Sequence, residues 1–104
     1  MILTTGPTVD GRSVSRYLGV VSAQAIMGVN IGKDITAGLR NIVGGRSGAY
    51  EGEIAKAVEQ VRDELQASAE QLGADAILSI DFDYETVGNN MLMVAASGTA
   101  VKLG

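Results

Sequence analysis

The segment from Val43 to Asp83, VGGRSGAYEGEIAKAVEQVRDELQASAEQLGADAILSIDFD, restricts the fold more than any other part of the chain. Tyr50, Ile54, Ala57, Val58, Val61, Leu65, Ala69 and Leu72 recur at steps of three and four, which gathers them on one face of a helix. Glu51, Glu53, Lys56, Glu59, Arg62, Asp63, Glu64 and Glu70 fall mostly elsewhere. The pattern predicts one long helix from about Gly48 to Leu72. Ser47 is placed to cap its first free N–H groups, Glu51 and Glu53 suit the positive end of its dipole, and Gly73 suits the left-handed residue that ends it.

A helix of this kind needs an apolar layer to lie on. The chain has 104 residues, 46% of them hydrophobic, with one Phe, three Tyr and no Trp, so a single domain spanning residues 1–104 must build its core from Ala, Val, Ile and Leu. A formal charge of −4 and the lack of any Lys/Arg cluster argue against a nucleic-acid partner or an anionic membrane partner, because both require concentrated positive charge. There is no cysteine to form a disulfide. The start, MILTTGPTVDG, lacks the basic and apolar segments of a secretory signal, and a cytoplasmic protein is expected.

The layer is supplied by alternating segments. Met1–Thr5 suits a short extended piece before the turn signals Gly6-Pro7 and Asp10-Gly11. From Val14 to Asn30 the alternation puts Val14, Leu18, Val20 and Ser22 on one side and Tyr17, Gly19, Val21 and Ala23 on the other. It continues through Ala25, Met27, Val29 and Ile31, with Gly28 as a candidate bulge. Lys33–Val43 reads as a short helix ended by Gly44-Gly45. Ala74–Thr86 alternates with Leu78, Ile80, Phe82 and Tyr84 on one face and Ser79, Asp81, Asp83 and Glu85 on the other.

A two-residue hairpin at Gly88-Asn89 would set Val87 opposite Asn90, and the last strand would run to Lys102. Counting back pairs Tyr84 with Met93, Phe82 with Ala95, Ile80 with Ser97 and Leu78 with Thr99 on the helix side. On the other side it pairs Glu85 with Leu92, Asp83 with Val94 and Asp81 with Ala96. The fold class is therefore α+β, an antiparallel sheet packed on one long helix. One helix cannot cover both faces and both edges of such a sheet, so a homo-oligomer is expected, with Leu92, Val94, the short helix or the N-terminal segment against a neighbour.

The runs YLGVVSAQAIMGVNI (17–31), GGRSGAYE (44–51), LGADAI (72–77), DYETVGNNMLMV (83–94) and SGTAVK (97–102) closely resemble the YbjQ-like family, small bacterial and archaeal proteins labelled "putative heavy-metal-binding". The similarity covers nearly the whole chain in order. It implies a two-layer α+β sandwich similar to the dodecin subunit, assembled as a homopentameric ring, and it carries no ligand set residue by residue.

The residues themselves offer two candidate sites. Asp81, Asp83 and Glu85 stand at alternate strand positions, about 6 to 7 Å apart, so neighbouring carboxylates can share a hard divalent metal such as Ca²⁺, Mg²⁺ or Mn²⁺, and a ring would repeat the row. The plain alternative is a solvated strand face. Soft metals lack their usual ligands, since there is no Cys or His, and Met1, Met27, Met91 and Met93 offer only thioethers. Met91 and Met93 share a strand face, where a methionine pair competes with simple core filling.

The corner at Gly45, Arg46 and Ser47 combines free N–H groups, a cation and a helix N-terminus, which suits an anion, although a tight turn with Arg46 paired to a carboxylate explains the same residues. Tyr17, Tyr50 and Tyr84 could flank a flat ligand, but the apolar faces given to Tyr50 and Tyr84 favour packing. No His, no Cys and no nucleophile motif argue for a nonenzymatic protein. A ring that binds metal, a small-molecule or anion-binding module, and a purely structural or protein-interaction ring are the readings left open.

Overall fold

The structure is a computed structural model that describes residues 1–27, 48–88 and 91–104, with positions 48–51 by backbone alone. Its elements are β1 (Ile2–Leu3), β2 (Val14–Met27), α1 (Gly48–Gln71), β3 (Ala76–Val87) and β4 (Met91–Leu103). The sheet order is β1-β3-β4-β2. β3 and β2 each run antiparallel to β4, whereas β1 runs parallel to β3, so the sheet is mixed and not wholly antiparallel as expected. The short helix expected at Lys33–Val43 and the bulge expected at Gly28 lie outside the described residues.

The helix follows its apolar spacing. Ala57, Val61, Leu65 and Ala69 are buried against Val21, Ala25, Met27, Ile77, Ile80, Val94, Ala96 and Ala100 of the sheet, and the alanines allow the two layers to approach closely. Leu72, expected on the stripe, is exposed because the helix has already ended at Gln71. Gly73, at φ 80°, turns the chain left-handed. Its N–H donates to the Glu70 carbonyl at 3.0 Å and the Ala74 N–H donates to that of Ala69 at 3.1 Å, the two bonds of a Schellman stop. Asp75 then secures the start of β3, its carboxylate accepting from the Leu103 N–H at 2.9 Å.

Strand parity is where the structure departs from simple alternation. Leu78 pairs with Thr99, as counted, but the next pair is Asp81 with Ser97, so Ser79 and Ile80 bulge opposite Gly98. Ser79 has φ 55°, a left-handed residue inside a strand. The extra residue moves Ile80 and Phe82 to the face of Ile77, under the helix. Leu78 goes the other way, joining Ala76, Val101 and Leu103 in a second small core with Val9 and Val14. The N-terminal segment satisfies the bulge: the Ser79 N–H donates to the Gly6 carbonyl at 3.0 Å and the Ile80 N–H to that of Thr4 at 3.1 Å.

β2 shows the same effect. Its register shifts between Tyr17 and Gly19, which places Leu18 with Val21 on the helix side and not with Val20. Beyond the β3 bulge, Val87 pairs with Met91 and three residues separate the strands, where a two-residue hairpin would have paired Val87 with Asn90. Every distal partner is therefore one residue from its expected position. Val94 is fully buried in the subunit's own core, so it is not the neighbour-facing residue expected, and Leu92 is half-buried against that core. The N-terminal segment pairs with β3 of its own chain and leaves Met1 and Ile2 exposed.

Two glycines test this packing in opposite directions. A Cβ at Gly98 would lie 2.7 Å from Ile77 Cγ2 and 3.1 Å from both Ile80 Cγ1 and the Leu78 carbonyl oxygen. Gly98→Ala is expected to destabilise the fold by about 1 to 3 kcal/mol. Gly52 lies within α1 with nothing among the described residues near its Cβ position. Gly52→Ala is expected to stabilise by roughly 0.5 to 1 kcal/mol. Urea unfolding at fixed protein concentration measures both.

Candidate functional site

The bulge also decides where the acidic row points. With Ile80 and Phe82 turned under the helix, Asp81, Asp83 and Glu85 alternate onto the opposite sheet face, and all three are exposed. Strand register sets them in rows with β4 and β2: Asp81 beside Ser97 and Ser22, Asp83 beside Ala95 and Gln24, Glu85 beside Met93 and Ile26. The expected neighbours Ala96, Val94 and Leu92 lie on the helix side instead. A depression of about 380 Å³ crosses this open face, lined by Ser22, Gln24, Asp83, Ala95 and Ser97 among others.

The middle of the face is thus a band of oxygen donors on small side chains. Among the described residues the ion pair is Lys56 with Glu53, at 3.6 Å on the helix, so no described cation neutralises the row. Among the described residues, no three of His, Cys, Asp or Glu converge closely enough to hold a metal ion. One subunit presents a line of carboxylates, each able to give one or two oxygens, and a closed coordination sphere would need water or another copy. The donor chemistry fits a hard divalent cation.

For a softer metal the open face adds only thioethers. Met91 and Met93 are half-buried there, with Met93 opposite Glu85, while Met27 is buried in the main core. Gly45, Arg46 and Ser47, the candidate anion site, lie outside the described residues.

The structure does not bring Tyr17 and Tyr84 together. Tyr17 pairs with Val101 on the open face and is 72% exposed. Tyr84 follows Ile80 and Phe82 on the helix-side parity and is 55% exposed, so it is not the core residue expected. The side chain of Tyr50 lies outside the described residues.

Two surface features were not foreseen. Val20 and Ile26, at 79% and 54% exposure, flank the polar band together with Tyr17 on β2, a 14-residue strand that pairs, among the described residues, on one side only. Periodicity alone had assigned Val20 to the same side as Leu18, and the intervening bulge separates them. The other feature is a cleft on the helix side between the N-terminal segment, α1 and β3. It arises from how the layers are offset, which no local pattern encodes. No described helix is long and apolar enough to cross a membrane.

Comparison with known proteins agrees with this architecture. A crystal structure of a protein of unknown function from Pediococcus pentosaceus, belonging to the DUF74 family, superposes with a TM-score of 0.68 at 17% sequence identity. The match covers 100% of this chain and 98% of that one, and at such low identity it establishes a shared fold. The model of the YbjQ family, described as "putative heavy-metal-binding", matches residues 1–104. The full-length match places this chain in the YbjQ family.

Proposed function

We propose that this protein is the nonenzymatic subunit of a homopentameric ring that retains a divalent metal through Asp81, Asp83 and Glu85 of repeated copies. The observation that carries the reading is the open sheet face, where an exposed carboxylate row on β3, neutralised by no cation among the described residues, shares the face with exposed apolar residues of β2. Apolar surface at Tyr17, Val20 and Ile26 favours a neighbour, and the side of β2 away from β4, which pairs with no described strand, offers N–H and C=O groups to receive one. The number five follows the family resemblance. Repeating the row around an axis would supply the carboxylates that one strand cannot converge, and the summed negative field would concentrate cations there.

The same arrangement argues against catalysis. The sequence has no His or Cys, and the carboxylates lie in one exposed row, not as an acid and a base across an enclosed pocket. The heavy-metal description of the family has no thiolate or imidazole to act through in this member, which directs the proposal to an oxygen-loving cation.

Native mass spectrometry of protein purified without chelator tests both halves. The expected spectrum is a five-subunit mass with stoichiometric extra mass that EDTA removes. Asp81→Asn combined with Asp83→Asn should lose the metal and keep the five-subunit mass; metal content unchanged in that variant would rule out the row. Val20→Lys should shift the population toward monomer, since it places a charge at a contact that needs desolvation. A monomeric wild type would overturn the ring.

A further inference from the structure

The helix does not cover its side of the sheet evenly. α1 packs over β2 and β4 and barely reaches β3, so among the described residues the helix-side surface of β3 and β1 has no second layer along much of its length. The resulting cleft, about 490 Å³, has Leu3, Ile80 and Phe82 in its floor and Thr4, Thr5 and Arg62 at its rim. Its volume falls within the range of small-ligand sites, and it is an open groove whose apolar floor is bordered by a few polar groups.

The lining contains Arg62 and no carboxylate, although the chain as a whole is acidic. Arg62 is exposed, and among the described residues no Asp or Glu lies within ion-pair distance of it, so no described carboxylate competes with a planar anion for its guanidinium fork. Thr4 Oγ1 accepts from the Gly6 N–H at 3.0 Å, which fixes the side chain and leaves the hydroxyl hydrogen for a further acceptor. Phe82 is half-buried and offers ring surface to a flat apolar group.

From this geometry we infer that the cleft between β1, β3 and α1 binds small amphipathic carboxylates, with Arg62 receiving the carboxylate and the Leu3–Ile80–Phe82 floor receiving an apolar or aromatic body. The Arg62 guanidinium at the rim suits an anionic group, and the apolar floor disfavours a ligand that is polar throughout. The site is on the opposite face of the sheet from Asp81 and Asp83 and stands independently of the metal reading.

Phenylacetate is the probe, with phenylacetamide and acetate as controls, titrated into the full chain and followed by amide chemical shifts. Phenylacetate should give saturable shifts at Thr5, Arg62 and Phe82, and both controls should bind at least about tenfold more weakly. Arg62→Gln, at an exposed helix position, should abolish the preference for phenylacetate over phenylacetamide. Thr5→Glu should repel the carboxylate and remove binding. Asp81→Asn with Asp83→Asn should leave it unchanged, which separates this site from the metal row.

Absent or scattered shifts, or an Arg62→Gln protein that still prefers the carboxylate, would overturn the assignment. So would an Arg62→Gln protein whose assembly mass changes while the titration does not, because the cleft would then be a contact between copies.

Discussion

The approach of Ile77 and Ile80 over Gly98 is the contact on which the faces of this sheet depend. Two residues of β3, Ser79 and Ile80, are accommodated opposite one residue of β4, and only a glycine leaves room for both isoleucine side chains on the same side. Once the bulge is in place, Leu78 must go to the open face and Ile80 and Phe82 to the helix face. Asp81, Asp83 and Glu85 then have one direction left. The Thr4 and Gly6 carbonyls accept the N–H groups that the bulge removes from the ladder, so the N-terminal segment is part of the same device.

The two sheet faces consequently differ in kind. The helix side holds the main core, closed over β2 and β4 by a stripe of small and medium side chains and open toward β3. On the other side, the small core of Ala76, Leu78, Val101 and Leu103 is confined to one end, and the rest is a polar band between exposed apolar residues of β2. Among the described residues one long helix covers part of one face, and the other face keeps exposed apolar side chains beside its polar band.

The helix and the composition of the core were legible in the sequence because both are local properties. A 3.6-residue stripe from Ile54 to Ala69, with Gly73 behind it, specifies a helix and its stop through backbone geometry alone. Alternation likewise identified β2, β3 and β4. Alternation cannot locate a bulge, however, because an inserted residue leaves the local pattern almost unchanged while exchanging the faces of everything beyond it. Val94 was accordingly read as neighbour-facing and is core, whereas Val20 was placed beside Leu18 and is exposed. The spacing puts the acidic row on the face away from the helix, where it lies, but with Ala96, Val94 and Leu92 as neighbours in place of Ser97, Ala95 and Met93.

By itself the sequence determined the element types, the long helix and its end, the aliphatic core and the absence of thiolate and imidazole chemistry, because each follows from residue identity and short-range spacing. Tertiary structure decided the parity of β3, the parallel pairing of β1, the partners of each carboxylate and the offset of the helix that opens the cleft beside Arg62. Those are set by contacts between residues far apart in the chain, such as Gly98 with Ile77 and Thr4 with Ile80, and spacing along one strand holds no information about what stands across from it.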